Sequence, residues 1–523
     1  MKKSMLTIIA LIIAMLLLVA CDGNSGTGNT DTTYETTEYV DGVEATAPVE
    51  KGNYVVYVRS TDDSRWFAWD YENWSIKDAD ASLNYSVYFF KVDSLFDSVE
   101  ALEAADNVTA GTLVGTKSYH AGLGRGAAIY EILDKKPTES GIITLENLSL
   151  YARVVPFTVN DEKIITVDQF GTYGDGERAD HGRINIAFKF ADANVIEFES
   201  SVYMQESGII LNHGDVRLNA KGAEIHNRYD KTVVLKDFTV SGKNERIKNI
   251  IIENLTLVCT EKRGAGHLYV DRSHGQFVSA YVDGITVRNC TFHVPPTDEG
   301  EPYRNSSCVT FGDYSTNVTF ENNRVLNFAR SEGYSSTLFF TPGIGNLMEN
   351  IKVINNYIEK SGHDEILSFY NGIFDNILVD NNTFYTHDEL VGFTSRQVIG
   401  FGAWDCPTTV KNAVFSNNKL DVVTRNNAVM FSDVENIKIF NNEITVRNNS
   451  ESEPITYGVF RITYHQENYA AAGIPNPTQK NVEIYNNTVK VYNPTEVPMN
   501  YNCNEGFDFH DNTFEYIPVN NDQ

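Results

Sequence analysis

Ionisable side chains gather around several short apolar segments in the second half of the chain. Asp364 and Arg396 each lie five residues before a phenylalanine in such a segment, Phe369 and Phe401 respectively. This equal spacing predicts that the two side chains are neighbours in the fold. Carboxylates close to one another and to cations can act as general acid and general base. The candidate catalytic residues are Asp364, Glu365 and Asp405. The candidate binding residues around them are His363, Tyr370, Arg396, Arg461, Tyr464 and His465.

The same residues also have a purely structural interpretation. In that case Asp364 and Arg396 form a surface ion pair worth less than about 1 kcal/mol, and His465 belongs to a solvated loop. A second dense patch runs from Gly266 to His274 and is an alternative site. Its ionisable residues are His267, Asp271, Arg272 and His274.

A recurring strand pattern must position these residues. NILVDNNTF, from Asn376 to Phe384, returns as NVTFENNRV, NIKVINNYI, NIKIFNNEI and NVEIYNNTV. Apolar residues alternate within each copy, which is strand periodicity with one buried face. The copies recur every 24 to 45 residues, which predicts a solenoid with insertions of variable length. The first polar residues after the strands are Asn254, Asn289, Asn322, Asn355, Asn381, Asn417, Asn441, Asn486 and Asp511.

Asparagines at one bend of every coil can hydrogen-bond to their copies about 4.8 Å away and to the turn backbone. Unrelated asparagine-rich surface turns are the alternative. The pattern resembles the right-handed parallel β-helix of the pectate-lyase-like superfamily. That resemblance implies an all-β fold of three-strand coils with an asparagine ladder between the second and third strands. A small β-rich module would precede it.

The first strand of each coil is expected in the longer segment between ladders. Six such segments align on phenylalanines, which predicts an inward aromatic stack, with a ligand-binding stripe as the alternative. The aligned residues are Phe311, Phe340, Phe369, Phe401, Phe431 and Phe460. The longest insertions are expected to project as loops above this face.

Two upstream stretches support the resemblance. ITVDQFGTYGDGERAD, Ile165 to Asp180, is similar to the leading segment of many such β-helices, in which an acidic pair caps a short helix. Ala179 replaces one member of that pair, and Ile184 to Ala193 is the predicted helix. Phe96 to Ile132 resembles a module that often comes before this segment. Its glycines do not form a phosphate-binding loop.

The amino terminus predicts export. Lys2 and Lys3 precede an apolar run shorter than a membrane span, which ends in Leu18-Val19-Ala20-Cys21. This end resembles the lipobox of bacterial lipoproteins and implies lipidation of Cys21; an ordinary secretory signal is the alternative. We expect a signal peptide at 1–20, a tether at 21–48, β-rich modules at 49–160 and the β-helix at 161–523. The protein would then sit at the cell membrane or surface, outside the cytoplasm, with only its lipid in the membrane.

The formal net charge of −28 argues against a nucleic-acid partner. The resemblance implies activity on polysaccharide across the first-strand face, by hydrolysis with two carboxylates or by elimination, for which calcium is an optional cofactor. The polygalacturonase signatures are not present as a set, and neither HExxH nor GxSxG occurs. A non-catalytic glycan-binding or adhesive β-helix and a structural spacer remain alternatives.

Overall fold

Most of the chain winds into three long parallel sheets. The computed structural model describes residues 35–40, 43–45, 51–228, 238–242, 245–259, 275–294, 307–328, 336–360, 365–386, 398–402, 406–424, 427–447, 458–463, 479–492, 499–501 and 505–517. Each complete coil of the solenoid contributes one strand to each sheet, and neighbouring coils pair in parallel. The predicted parallel β-helix is therefore confirmed. At the start of one sheet, Phe157–Val159 pairs antiparallel with Glu162–Thr166. No helix within these ranges is long and apolar enough to cross a membrane.

We name the sheets by the order of their strands within a coil. The first-strand sheet has ten strands: Ile209–Leu211, Phe238–Ser241, Gly275–Ala280, Ser307–Phe311, Leu338–Phe340, Leu367–Phe369, Ile399–Phe401, Val429–Ser432, Phe460–Thr463 and Met499–Tyr501. The second-strand sheet has thirteen: Phe157–Val159, Glu162–Thr166, Val195–Glu197, Val216–Asn219, Ile247–Glu253, Val282–Arg288, Thr316–Glu321, Leu347–Ile354, Ile373–Asp380, Thr409–Ser416, Val434–Phe440, Lys480–Tyr485 and Glu505–His510. The third-strand sheet has twelve: Asp175–Ala179, Val202–Gln205, Glu224–Asn227, Thr256–Cys259, Thr291–Val294, Arg324–Asn327, Tyr357–Lys360, Thr383–Thr386, Lys419–Val423, Glu443–Arg447, Thr488–Tyr492 and Thr513–Ile517.

Two adjacent positions at the bend after each second strand have different structural roles. The first of each pair takes a left-handed backbone conformation, as at Asn381 with φ 54°, which turns the chain between the second and third strands. The second is buried and forms the ladder. Asn382 accepts from the backbone N–H of Asn356 at 2.9 Å, and its own N–H donates to Asn418 Oδ1 at 2.9 Å. The buried ladder therefore lies one residue after the aligned position, and the aligned asparagines add exposed bonds between copies, as Asn381 donates to Asn355 Oδ1 at 2.7 Å.

The asparagine at the start of each copy forms a second ladder, which the sequence did not reveal. Asn376 lies within the strand Ile373–Asp380, yet its φ is 57°, so the strand bends at this point. Its side chain donates to Asn350 Oδ1 at 2.7 Å, and Asn350 donates to Asn317 Oδ1 at the same distance. Two amide columns therefore fix two bends in each coil.

An aromatic column fills the interior behind the first-strand sheet. The rings of Phe340 and Phe369 are stacked with centroids 4.8 Å apart, and Phe401 and Phe431 follow at 4.9 and 4.7 Å. Such stacks contribute about 0.5–1.5 kcal/mol each beyond the burial of apolar area. The alignment is wrong at its last member, because Ile462 pairs with Phe431 while Phe460 pairs with Val429.

A short helix and two small β units precede the coils. Two short helices occur in the described residues, Val99–Glu103 and His181–Ala187, with 3₁₀ turns at Glu146–Leu148 and Val167–Phe170. One mixed sheet has the order Val43–Ala45, Glu35–Val40, Tyr85–Lys91, Tyr54–Ser60, beside the hairpin Trp69–Asp70 with Ser75–Ile76. A five-stranded sheet has the order Ile143–Leu145, Leu150–Val155, Ala128–Leu133, Leu113–Thr116, Ser94–Phe96.

The helix at the start of the solenoid begins earlier than the sequence suggested, at His181 instead of Ile184. Asp180 occupies its N-cap position, but its carboxylate makes no capping bond to the helix. It accepts instead from the backbone N–H groups of Tyr173 at 2.6 Å and Gly174 at 3.2 Å. The remaining member of the acidic pair therefore orders the preceding loop.

A network of charges joins the first module to the solenoid. Asp63 pairs with both Arg217 and Lys221, and Lys221 Nζ lies 3.2 Å from Glu197 Oε1. Glu197 is fully buried and also accepts from the hydroxyl of Tyr57 at 3.1 Å. Because each of these charged side chains lies beside a group of opposite charge, they can be buried at the junction.

Candidate functional site

The structure describes only three of the predicted site residues: Glu365, Tyr370 and Arg461. Outside the described residues lie His363, Asp364, Arg396, Asp405, Tyr464 and His465, together with Cys21 and the alternative patch of His267, Asp271, Arg272 and His274. Two of the three that are described lie beside the same first strand, Leu367–Phe369, and Arg461 lies in a later coil.

Glu365 is held just before the strand Leu367–Phe369. Its side chain is 8% exposed, and its Oε2 accepts from the hydroxyl of Ser336 at 3.0 Å. The ammonium of Lys360, itself 2% exposed, donates to the backbone carbonyl of Glu365 at 3.1 Å. Tyr370, at the other end of the strand, is half-buried with its ring 5.8 Å from that of Phe339. A buried lysine therefore lies at the corner where the third strand passes to the first.

Arg461 is not brought together with Glu365. The register runs from Leu367 to Ile399, Val429 and then Phe460, so Arg461 lies three coils further along. At about 4.8 Å per coil, the separation is roughly 14 Å along the solenoid axis. These two residues therefore cannot hold the same atom of a ligand.

The outward side of the first-strand sheet is largely closed to solvent. Outward-facing residues in consecutive coils pair in register, and none of the following is more than 7% exposed: Val278, Thr310, Phe339, Ser368, Met430 and Arg461. Ile210, at the start of the same sheet, is 42% exposed. These outward side chains are therefore buried, and the predicted first-strand site, most of whose residues lie outside the described ranges, stays a prediction.

Accessible polar and aromatic groups occur together on the third-strand sheet instead. We call the set Arg324, Tyr357, Glu359, Tyr385, Asp421 and Arg447 the tyrosine face. All six are half-buried or exposed. They point outward because strand residues alternate between the two sides, and the intervening Ile358, Phe384 and Leu420 are buried in the solenoid.

Direct contacts order the first half of the tyrosine face. The guanidinium of Arg324 lies 5.5 Å from the centre of the Tyr357 ring, and the Tyr357 hydroxyl donates to Glu359 Oε2 at 3.0 Å. Burial, together with the hydrogen bond to Glu359, raises the pKa of Tyr357 to about 12. Tyr357 therefore stays a neutral hydrogen-bonding ring at physiological pH.

Two carboxylates flank the second tyrosine. Glu359 pairs with Tyr385 and Tyr385 with Asp421, so the three occupy one column in consecutive coils. The Cα atoms of Glu359 and Asp421 are then roughly 9.5 Å apart. Arg447 forms an ion pair with Asp421. Rings, hydroxyls, carboxylates and guanidinium groups at this spacing can stack against sugar rings and bond to their hydroxyls.

The sequence analysis did not predict this face, because the resemblance implies a ligand on the first-strand face. A signal was present: the third strands carry YIE and TFY directly after the paired asparagines, and alternation places both tyrosines outward. No metal site emerges, since in the described ranges no three histidine, cysteine or acidic residues are grouped so that they could hold an ion.

No protein-family model matches the sequence, and no curated protein matches it. Solved structures do match. The tailspike protein of Acinetobacter baumannii phage AM24 is 10% identical, with a TM-score of 0.45, over 80% of this chain and 65% of its own. PfbA, a surface adhesin of Streptococcus pneumoniae, is 13% identical, with a TM-score of 0.41, over 68% of this chain and 92% of its own.

The enzymatically active domain of tailspike protein 2 from bacteriophage CBA120 is 11% identical, with a TM-score of 0.34. This chain spans 61% of that domain's length and 51% of the full-length tailspike protein 2. Identities this low do not allow the role of any residue to be transferred to this chain.

Proposed function

We propose that this protein binds polysaccharide along the tyrosine face. The observation that carries the proposal is the joint exposure of Tyr357, Tyr385 and their polar neighbours on a regular surface. A solenoid repeats its outward positions about every 4.8 Å, so an extended ligand can make the same kind of contact in several coils. A glycan chain offers hydroxyls for Glu359 and Asp421 and apolar ring faces for the tyrosines.

The same proposal includes the cellular setting inferred from the amino terminus. A lipid on Cys21 and a polar tether would hold the solenoid outside the cytoplasm, where glycans are encountered. The two arginines of the tyrosine face are balanced by its two carboxylates, and this balance, with the net charge of −28, favours a neutral or weakly charged chain as the ligand. The relation to the pectate-lyase-like superfamily is part of this proposal and rests on the sequence motifs alone.

The first test is binding of the mature chain to a panel of polysaccharides by affinity electrophoresis. We expect the double variant Tyr357→Ala/Tyr385→Ala to weaken binding by about a hundredfold, since each lost stacking ring is worth about 1.4 kcal/mol, or tenfold. Tyr485→Ala is the matched control. Tyr485 is also half-buried and outward, but it lies on the second-strand sheet, stacked 5.0 Å from Phe440.

The double variant and the control must both keep the thermal transition of the parent protein. Equal retardation of parent and double variant on every retained polysaccharide would refute the tyrosine face as the binding surface. An equal loss in Tyr485→Ala would show that the effect is not specific to this face.

A second candidate function is glycan cleavage. The observation in its favour is the placement of Glu359 and Asp421 in one column on either side of Tyr385, with Cα atoms roughly 9.5 Å apart. Two carboxyl groups on one accessible face are what a hydrolase needs, and in enzymes that invert configuration they are about 6.5–9.5 Å apart. The residues predicted from the sequence, Asp364, Glu365 and Asp405, are the other proposed acid and base, on the first-strand side. An elimination reaction with calcium remains part of this candidate.

The same panel can be assayed for new reducing ends and for the absorbance of unsaturated products. Both reactions form reducing ends, but only elimination forms unsaturated products. Loss of activity in Glu359→Gln or Asp421→Asn, but not in Asp364→Ala or Asp405→Ala, would place cleavage on the tyrosine face. The opposite pattern would place it on the first-strand side. Binding with no product of either kind leaves recognition as the function.

A further inference from the structure

A separate pocket lies where the two amino-terminal units meet the solenoid. Its volume is about 340 Å³, at the lower end of the range for small-ligand pockets. We call it the junction pocket. It is lined by Arg65, Trp66, Phe67, Ala68, Lys77, Asp78, Leu123, Gly124, Arg125 and Glu199. Its walls thus come from three parts of the chain, and its size suits one or two sugar rings.

One wall of the junction pocket is a rigidly held arginine. Arg125 Nη1 donates to the hydroxyl of Ser200 at 3.2 Å, and Nη2 donates to the backbone carbonyl of Tyr173. The flanking Gly124 and Gly126 have φ of 66° and 75°, conformations that other residues rarely adopt. A side chain at Gly126 would come within 2.4 Å of the carbonyl oxygen of Asp168. These glycines therefore allow the backbone of the loop to pack closely against the solenoid.

The floor of the pocket is a carboxyl group with fixed partners. Glu199 Oε2 accepts from the backbone N–H of Gly126 at 2.7 Å, and Oε1 is 2.5 Å from the hydroxyl of Thr166. Burial and the neighbouring Asp168 raise the pKa of Glu199 to about 8, which favours the protonated form of this carboxyl. In that form the floor of the pocket is a hydrogen-bonding group without negative charge.

The opposite wall carries an aromatic ring and a cation. Trp66 is half-buried, with its ring 5.8 Å from that of Tyr57. Lys77 is exposed and forms no ion pair with any described residue, whereas Arg65 is already paired with Asp62 at 2.6 Å. The other two cations of the lining also face carboxylates, Arg65 with Asp80 at 3.1 Å and Arg125 with Asp168 at 3.9 Å. Lys77, with Asp78 beside it in the lining, is therefore the cation through which the pocket can hold an anionic group.

We propose that the junction pocket binds a sugar that bears a carboxylate, such as a uronic acid, with Lys77 as the cation for the carboxylate and Trp66 beside the ring. Arg125 and Glu199 supply hydrogen bonds for its hydroxyls. This inference does not depend on the tyrosine face, which lies on another part of the solenoid.

The test uses free galacturonate and glucuronate as probes, with galactose and glucose as their neutral counterparts, and calorimetry and tryptophan fluorescence as readouts. We expect each uronate to bind at least tenfold more tightly than its neutral counterpart. Lys77→Glu should weaken uronate binding at least tenfold. The matched control is Lys91→Glu, an exposed lysine of the same module that does not line the pocket. Tyr357→Ala/Tyr385→Ala should leave uronate binding unchanged.

Three results would overturn the inference: no uronate binding, equal affinity for uronates and neutral sugars, or unchanged uronate binding in Lys77→Glu. Inorganic phosphate is a further probe. Phosphate bound as tightly as a uronate would show a general anion site and would also refute the sugar assignment.

Discussion

The solenoid and the junction bury polar groups in opposite ways. In the solenoid the same neutral amide recurs in consecutive coils, and each copy bonds to the next, as Asn356 does to Asn382. At the junction, unlike charged groups meet once only, as Lys221 meets Glu197 and Asp63. The solenoid depends on repetition of a local motif, whereas the junction depends on contacts between distant parts of the chain.

This difference has energetic consequences. A buried neutral amide left without a partner costs about 1–3 kcal/mol. A buried charge left without a partner costs about 3–5 kcal/mol, because it must also lose its hydration. Single substitutions should therefore do more damage at the junction than in the solenoid.

The largest effect is expected from Lys221→Met. Lys221 is 4% exposed, and its loss leaves the fully buried Glu197 without its cation. We expect destabilisation of about 3–5 kcal/mol, measured by urea denaturation. The control is Lys438→Met, which removes a pair with Glu483 whose side chains are 51% and 40% exposed, and should cost less than about 1 kcal/mol. Equal effects of the two variants would contradict the comparison.

An intermediate effect is expected from Asn382→Ala. It removes the acceptor for the Asn356 N–H and the donor to the carbonyl of Val353 at 2.8 Å. Both groups are buried, so the cost should be about 3 kcal/mol. Asn381→Gly keeps the left-handed bend and loses only an exposed bond to Asn355, and should change stability by less than about 1 kcal/mol. A larger loss of stability in Asn381→Gly than in Asn382→Ala would show that the ladder depends on the first asparagine of the pair and not on the second.

The smallest expected effect is a change in how the stability of the junction depends on pH. The pKa of Glu199 is raised to about 8 in the folded protein from an ordinary value of 4.5, so the folded state binds the proton more tightly than the unfolded state. This contribution to stability is complete below pH 4.5 and is lost as pH rises through 8. Burial raises the pKa of the adjacent Asp168 in the same direction, while Arg125 opposes both shifts.

We therefore expect the melting temperature of the parent protein to fall between pH 6 and pH 8, and Glu199→Gln to reduce that fall. Asp70→Asn is the control. The pKa of Asp70 is lowered by its bonds to Asn73, so its contribution is lost only in acid and should not alter this interval. A slope unchanged in Glu199→Gln would show that Glu199 is ionised at neutral pH.

Prediction from the sequence worked best where the physics is local. The paired asparagines and the alternating apolar residues around Asn376 to Phe384 specify a bend and two half-buried strands within a few residues. Repetition of that unit then specifies parallel stacking. The alignment of the first strands is wrong at Phe460. A shift of two residues keeps the same side chains facing inward, so the alternation of apolar residues does not reveal it.

The candidate surfaces were harder to predict. Exposure along a strand follows from alternation, which correctly places Tyr357 and Tyr385 outward, but alternation also gives Met430 and Ser368 as outward and both are buried. The junction pocket has no sequence signature, since Trp66, Arg125 and Glu199 come from three different units.

The sequence by itself determined the solenoid, its asparagine-marked bend between the second and third strands and its inward aromatic column, because each of these follows from backbone conformation and side-chain alternation over a few residues. Only the tertiary structure decided which outward face is open to solvent and which side chains meet at the junction. Solvent exposure and the contacts at the junction depend on how segments far apart in the chain pack against one another and exclude water. The spacing of residues within one segment does not specify such packing.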